Sequence, residues 1–501
     1  DTCTQSTVSG NIIDQINFNA ASAISSSVIQ NICQLMQFGS DTNVANYQFV
    51  SAIGNTVAGS IKLFDSVSVS GGTCVFQDIL LDANICSSVE ILSNLNSSAN
   101  VSVSRLVLSG LTTDTIVVSQ ADATFSGNIV SIENLSILSS TITDSIVLFG
   151  SKNDFTDVAM TYEGTLIADT TANSIKIGRQ NISSAWTQVN FRNAILNNVR
   201  LETISAVPYE MYNFYVSDSV ISGLISVDLM DGSTGLSADL VIDGVAISNC
   251  ETSTVRFAST IDFGATAVGR DAIIRRTSAQ GSKLRGISMP GAVTDGDRII
   301  DGIVFANNSI FRDDAAPTVA TGIVITHRKN NTIAQNIVLN GNTALNSGSA
   351  ALAVIDPFIF SFKQIAGVST GGMSMQQLTI NGNSSISVDI DMIGGSSIIN
   401  SIYAINLSNN VISKLDISTV QGIYGFSSSG NSLIEAYDIS ADILENMLFN
   451  SDRVYGTVAF AADPSLNLTC DNVRSLMISN GMYDIIVISG FSVVFSFFSF
   501  I

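Results

Sequence analysis

Short apolar stretches of four to six residues, rich in Ile and Val, recur along most of the chain and are punctuated by Asn, Gly, Ser and Asp. Some echo each other. Residues 111–118 read LTTDTIVV and residues 141–148 read TITDSIVL, thirty positions on. SDSVIS from Ser217, NGNSSIS from Asn381, SNNVIS from Ser408 and SGNSLIE from Ser429 each place Asn or Asp with a small polar residue ahead of a short apolar stretch. Three of them run on to an Asp-Ile pair, at Asp389, Asp416 and Asp438. The intervals vary from the low twenties upward, so the repeat is degenerate rather than tandem.

Strands this short cannot bury a core alone, whereas stacked coils of such strands can. The pattern therefore predicts an all-β chain, a single elongated parallel β-helix with apolar columns inside and polar residues on the outer face and corners. Asn suits the corners, because it tolerates left-handed backbone and can bond to the coils above and below. A β-sandwich would show cleaner alternation and more Asn-Gly hairpin signals. Residues 90–480 carry no long helical periodicity. The whole resembles the right-handed parallel β-helices found among polysaccharide-cleaving enzymes, viral tailspikes, adhesins and surface-fibre proteins. That resemblance is architectural and spans roughly four fifths of the chain, without a family-specific motif.

Residues 12–37 read differently. Ile13, Ile16, Ala20, Ile24, Val28, Ile32 and Leu35 recur every three or four positions, which predicts a helix capping the first coil. The expected division is thus an N-terminal cap over 1–90, a β-helix body over 91–480 and a hydrophobic tail over 481–501. Within the body, 270–329 forms a basic, loop-rich portion: Arg270, Arg275, Arg276, Lys283, Arg285, Arg298, Arg312, Arg328 and Lys329 stand among Asp271, Asp295, Asp297, Asp301, Asp313 and Asp314. Those charges either bind an acidic glycan or subunit face, or pair with one another on the surface.

The tail, IIVISGFSVVFSFFSFI, carries no charge from Ile485 to Ile501. As a helix it would span about 25 Å, short of a ~30 Å hydrocarbon core, and it lacks a positive flank. Only Met482, Tyr483 and Asp484 separate it from the small residues Ser479, Asn480 and Gly481, too short a spacer for a lipid-anchor signal. Its β-branched and aromatic content favours strands instead. The tail then either folds back on its own last coil or completes a β-edge in a neighbouring subunit through Ile485, Ile486, Val487, Ile488, Phe491, Val493, Val494, Phe495, Phe497, Phe498, Phe500 and Ile501. Joined head to tail, that contact does not close and gives a filament.

Composition narrows the function. A net charge of −21, with charged residues only 13% of the chain, repels nucleic acid and suits an uncharged extracellular coat. Cys3, Cys33, Cys74 and Cys86 cluster near the N-terminus and read as disulfide candidates of undetermined pairing, while Cys250 and Cys470 stand apart. With one histidine, His327, and no CxxC spacing, no Cys/His metal site and no cofactor are expected. Asn-x-Ser/Thr acceptors fall at Asn96, Asn100, Asn134, Asn181, Asn307, Asn330, Asn383, Asn406 and Asn467, consistent with a secreted or cell-surface glycoprotein whose signal has been removed. Trp186, the one tryptophan, either stacks on a sugar or packs half-buried. The function expected is a structural, self-assembling subunit of an extracellular filament or surface layer, with itself and surface glycans as partners. Two alternatives stand beside it: a polysaccharide lyase or hydrolase using Asp295, Asp297 or Asp313 with Arg298 or Arg312, and a membrane-tethered adhesin. The Asp389/Asp391 pair falls on one strand face, but no polygalacturonase-type motif accompanies any of these residues.

Overall fold

The structure, a computed structural model, describes residues 2–18, 22–39, 46–64, 73–93, 100–121, 129–151, 159–177, 184–202, 209–230, 240–260, 272–289, 297–311, 322–327, 331–345, 358–364, 372–384, 386–392, 400–433, 436–454, 465–483, 485–490 and 498–500. The chain divides into two compact units, Asp1–Val241 and Ile242–Ile501. In both, the described residues form β-strands without any helix, and the registered pairings are parallel.

In the first unit Thr73–Asp82 pairs with Asn100–Ser109, that strand with Ile129–Leu138, and that with Ala159–Ala168. The intervening strands Ser88–Ile91, Thr112–Ala121 and Thr141–Ser151 pair with one another in the same way. The second unit repeats the scheme through Arg298–Ala306, Thr332–Asn340, Met373–Asn381, Ser401–Ser408 and Gly422–Ser429. Each of these strands pairs with the equivalent strand one coil later. This fits a parallel β-helix within each unit.

A five-residue rhythm produces the coils. Val101, Val103, Leu106, Leu108, Leu111, Thr113, Ile116 and Val118 are buried, so inward positions are spaced alternately two and three apart. A plain strand alternates every two. The extra residue comes with left-handed positions such as Arg105 (φ 55°) and Gly110 (φ 59°), which bend the strand and return the next apolar side chain to the interior. The same five-residue pairing recurs at Asp78/Ala83, Asn134/Ser139 and Asn213/Asp218 in the first unit, and at Asn336/Gly341, Ala404/Asn409 and Asn446/Ser451 in the second.

The residue after the second left-handed position points inward, and where it is Asn the coils are tied by amide bonds. Asn11 donates through N and Nδ2 to Asn31 Oδ1 (3.0 and 3.1 Å), Asn31 likewise to Asn55 (2.9 and 3.1 Å), and Asn55 to Asn84 (3.0 and 2.9 Å). In the second unit the chain of bonds runs Asn308, Asn342, Asn383, Asn410, Asn431 and ends on Asp452. All six are at most 1% exposed. Serine fills the same position more weakly at Ser140, Ser219 and Ser282, each accepting the backbone N–H of the coil before.

Two expectations are corrected. Residues 12–37 hold the strands Gln15–Phe18, Ser22–Ile24, Ser27–Ile29 and Leu35–Phe38, not a helical cap. Of the supposed stripe, Ile13, Ile24 and Ile32 are 38%, 37% and 51% exposed, while the buried set is Ile16, Ala23, Ser26, Val28, Asn31, Cys33, Met36 and Phe38. A rhythm of twos and threes imitates helical spacing over a short window. Likewise Cys3, Cys33, Cys74 and Cys86 are free thiols. Cys33 stacks on Val57, which lies between it and the coil of Cys86, so the two cysteines are two coils apart, about 9–10 Å. That exceeds the ~7 Å limit for a disulfide, and Cys3 and Cys74 stand in other columns, against Ala23 and Val101.

Candidate assembly edge and outer groove

The apolar tail lies on the last coil of its own chain. Ile485–Ser489 pairs parallel with residues 465–469 of the strand Ser465–Ser479, and Phe498–Phe500 pairs with residues 476–478. The β-branched run Ile485–Ile488 favours this extended state. Gly490 follows because a Cβ there would sit 1.6 Å from the Cys470 carbonyl oxygen. Val487 is 42% exposed on the tail strand. Of the proposed assembly residues, Ile485, Ile486, Val487, Ile488, Phe498 and Phe500 lie in these two strands, whereas Phe491, Val493, Val494, Phe495, Phe497 and Ile501 fall outside the described residues.

The amide column ends just beneath this coil. Asp452, 0% exposed, takes the place of the next Asn, and its Oδ1 accepts from Asn431 N (2.8 Å) and Nδ2 (3.1 Å). Its Oδ2 and the hydroxyl of Tyr483 are buried with no formed hydrogen bond. Burial pushes the Asp452 carboxyl above its ordinary value, and burial together with the neighbouring Asp452 pushes the Tyr483 phenol up. Tyr437, also fully buried, shares its hydroxyl with Ser428 Oγ at 2.8 Å.

A second feature lies on the outer face of the second unit. A groove of about 720 Å³ crosses neighbouring coils and is lined by Asp297, Ile299, Asn331, Thr332, Ile333, Gly372, Met373, Ser374, Gln376 and Tyr403. Parallel register brings Asp301, Gln335, Gln376, Tyr403 and Tyr424 into one column. The rings of Tyr403 and Tyr424 stack at 5.1 Å with planes 14° apart. Asp297 Oδ1 accepts from Asn331 N and Nδ2, both at 3.2 Å, and Asn331 Oδ1 accepts from Gly372 N at 3.1 Å. The groove's polar wall is therefore held in place before any ligand arrives.

The candidate catalytic acids are engaged separately. Asp297 serves Asn331, and Asp301 accepts from Asn336 Nδ2 at 2.6 Å; Asp271, Asp295, Arg312, Asp313 and Asp314 lie outside the described residues. Within the basic portion the described residues form strands of the same coils, Ala272–Gln280, Lys283–Met289, Arg298–Ala306, Ser309–Phe311 and Gly322–His327. Two of its cations meet acids on the adjacent coil: Arg276 Nε with Asp243 at 2.5 Å, Lys283 Nζ with Glu251 at 2.6 Å. Arg270, Arg328 and Lys329 are outside the described residues. Asp389, Asp416 and Asp438 form one column; Lys363 pairs with Asp389 and Lys414 with Asp416 at 3.0 Å, while Asn467 donates a hydrogen bond to Asp438 at 2.7 Å. The hydrogen bond that Lys414 donates to Asp416, aided by the other two carboxylates, holds its ammonium above the ordinary pKa. Among the described residues no group of three His, Cys, Asp or Glu could hold a metal ion, and no helix is long and apolar enough to cross a membrane.

The glycosylation candidates divide by exposure. Asn134, Asn307 and Asn406 are exposed, and Asn100 and Asn467 partly so. Asn383 is 1% exposed with Nδ2 committed to Leu339 O and Asn410 Oδ1, so this fold has no room for a glycan there. Asn96, Asn181 and Asn330 lie outside the described residues. Compared with known proteins, the chain matches no family model, and no curated protein or solved structure resembles it significantly.

Proposed function

We propose that the protein is a structural subunit of an extracellular filament or surface layer, joined to a second copy of itself through its last apolar coil. The observation that carries this reading is the pairing of Ile485–Ser489 with its own chain: among the described residues the strand is registered on one side only, against 465–469. A parallel strand presents main-chain donors and acceptors on both edges, and a coil from another molecule can extend the stack as each coil within the chain extends its predecessor. The strand is uncharged and Val487 is exposed, so no charged side chain on it opposes edge pairing. In this reading the tail acts in place, on its own last coil, rather than as a segment donated away from it. A repeated head-to-tail contact leaves a new edge each time and grows without closing. The low charge and the Ser, Thr and Asn surface suit a location outside the cell, and the exposed Asn134, Asn307 and Asn406 are the positions at which a glycan coat would be carried.

Deletion of residues 485–501 tests the reading. Sedimentation velocity should show the intact protein as a concentration-dependent series of oligomers, and the truncated one as a folded monomer with an unchanged β-sheet circular dichroism spectrum. Undiminished polymer after deletion would refute it.

A further inference from the structure

We infer that an outward stripe of β-branched residues on the first unit joins a second copy of the chain side by side, in antiparallel orientation. Successive coils of this unit each place one exposed residue immediately after the inward corner residue. Ile12 pairs with Ile32, Ile32 with Thr56, Thr56 with Ile85 and Ile85 with Thr112. Thr112 pairs in turn with Thr141, Thr141 with Thr171, Thr171 with Ile195 and Ile195 with Val220. All of them are exposed, Ile12 by 82%, Ile195 by 57% and Val220 by 45%. Each is Ile, Thr or Val, and none carries a charge. Strand propensity alone does not account for the run, because the same corner position in the second unit holds Glu251, Lys283, Ser309 and Arg453.

The order of side chains selects the partner. Read from either end the stripe is nearly the same, with Ile and Val at both ends and Thr at the centre. A second copy turned about a two-fold axis through Thr112 sets Ile12 against Val220, Ile32 against Ile195, Thr56 against Thr171, Ile85 against Thr141 and Thr112 against itself. Methyl rows then meet methyl rows, and hydroxyls meet hydroxyls, at the ~4.8 Å coil repeat that another stack of this kind shares. Two residues further on, only Asp14 and Asp114 are charged, so a chain of net charge −21 keeps this strip nearly free of self-repulsion. Asp114, beside the axis, has a donor of its own in Thr143 Oγ1 at 2.6 Å. Eight steps of ~4.8 Å make the stripe about 38 Å long, and at ~10 Å wide it covers roughly 400 Å² per molecule, half of what a stable pair needs. Isolated molecules therefore stay apart. The contact holds where molecules joined end to end present stripe after stripe, so the inference rests on the filament reading above.

The test is negative-stain electron microscopy of the full-length protein, with filaments counted as single or side by side. The parent should give paired filaments. Ile32→Lys and Ile195→Glu should each cut the paired fraction about tenfold, with filament length and melting temperature matching the parent. The double variant Ile32→Lys/Ile195→Glu should restore pairing, because each lysine faces a glutamate of the other copy only in the antiparallel arrangement. Parent filaments that are all single, pairing that survives both single variants, or a double variant that stays unpaired would each overturn the inference and leave the filament reading intact. A parent that forms no filament would overturn both.

Discussion

Asn342 donates both its backbone N–H and its side-chain Nδ2 to Oδ1 of Asn383, each at 2.9 Å, across 41 residues of chain. The same bond pair joins Asn410 to Asn431 across 21 residues. Coil length thus varies twofold while the inward contact stays fixed. The amide column, rather than a constant repeat length, sets the stacking register.

Replacing Asn342 with Ala should therefore be costly. It removes the bonds to Asn383 Oδ1 and Phe305 O (2.8 Å) and the acceptor of Asn308, leaving buried polar groups unpaired. We expect a loss of about 3 kcal/mol in chemical denaturation. Asn340→Ala, at an exposed position two residues earlier, should change stability by less than ~0.5 kcal/mol. Equal effects at the two sites would contradict the column's role.

The left-handed corners can be separated by space. A Cβ on Gly341 (φ 63°) would lie 2.6 Å from Asn307 Oδ1, whereas on Gly382 (φ 62°) its nearest neighbour is 3.9 Å away. Gly341→Ala should cost about 1–2 kcal/mol. Gly382→Asn should be nearly neutral, since Asn already holds the matching corner at Asn307 and Asn409. Thermal unfolding of both variants measures the difference.

Asp452 gives a pH dependence with a definite sign. Its carboxyl is raised by burial, so between the unfolded value, about 3.9, and the higher folded value the native state holds a proton that the unfolded chain has released. Stability then falls as pH rises through that window and levels off above it. The groups facing Asp452 are Asn431, Ser428 and the phenol of Tyr483, with Tyr437 close by; no cation is among them. Asp452→Asn keeps the acceptor for Asn431 and supplies an amide where Oδ2 now stands, so melting temperature should rise, most at neutral pH, and the decline should flatten. An unchanged pH profile would show that Asp452 is not protonated in the fold.

The thiols should behave as reduced, and all but Cys3 as buried. Burial raises Cys33, Cys74 and Cys470, and takes Cys86 to about 11. At pH 8 a thiol reagent should label Cys3 at most in the native protein and all six cysteines after denaturation, with no effect of prior reduction on melting. A melting temperature lowered by reductant would restore the disulfide expectation.

Much of this architecture was legible in the sequence. SDSVIS, NGNSSIS, SNNVIS and SGNSLIE are the coil corners, with Asp218, Gly382, Asn409 and Gly430 left-handed and Ser219, Asn383, Asn410 and Asn431 turned inward. The echo between residues 111–118 and 141–148 is also structural: Ile116 pairs with Ile146 and Val118 with Leu148. The five-residue rhythm was missed because left-handed residues such as Gln30 and Arg105 are not Gly or Asn and give no local sign of bending. For the same reason Asn383 read as a glycan acceptor, although the side chain is the inward rung of a column visible only once coils are aligned. The groove was beyond reach: Asp297, Asn331, Gln376 and Tyr403 come from four coils at unequal intervals along the chain.

The assembly claim is tested most directly by sedimentation velocity of Val487→Lys against the parent protein across a range of concentrations. Val487 is exposed on the tail strand, so a charge there blocks edge pairing at little cost to the fold. The account predicts oligomers for the parent and a folded monomer for the variant. Identical oligomer distributions, or a parent that stays monomeric at every concentration, would contradict it.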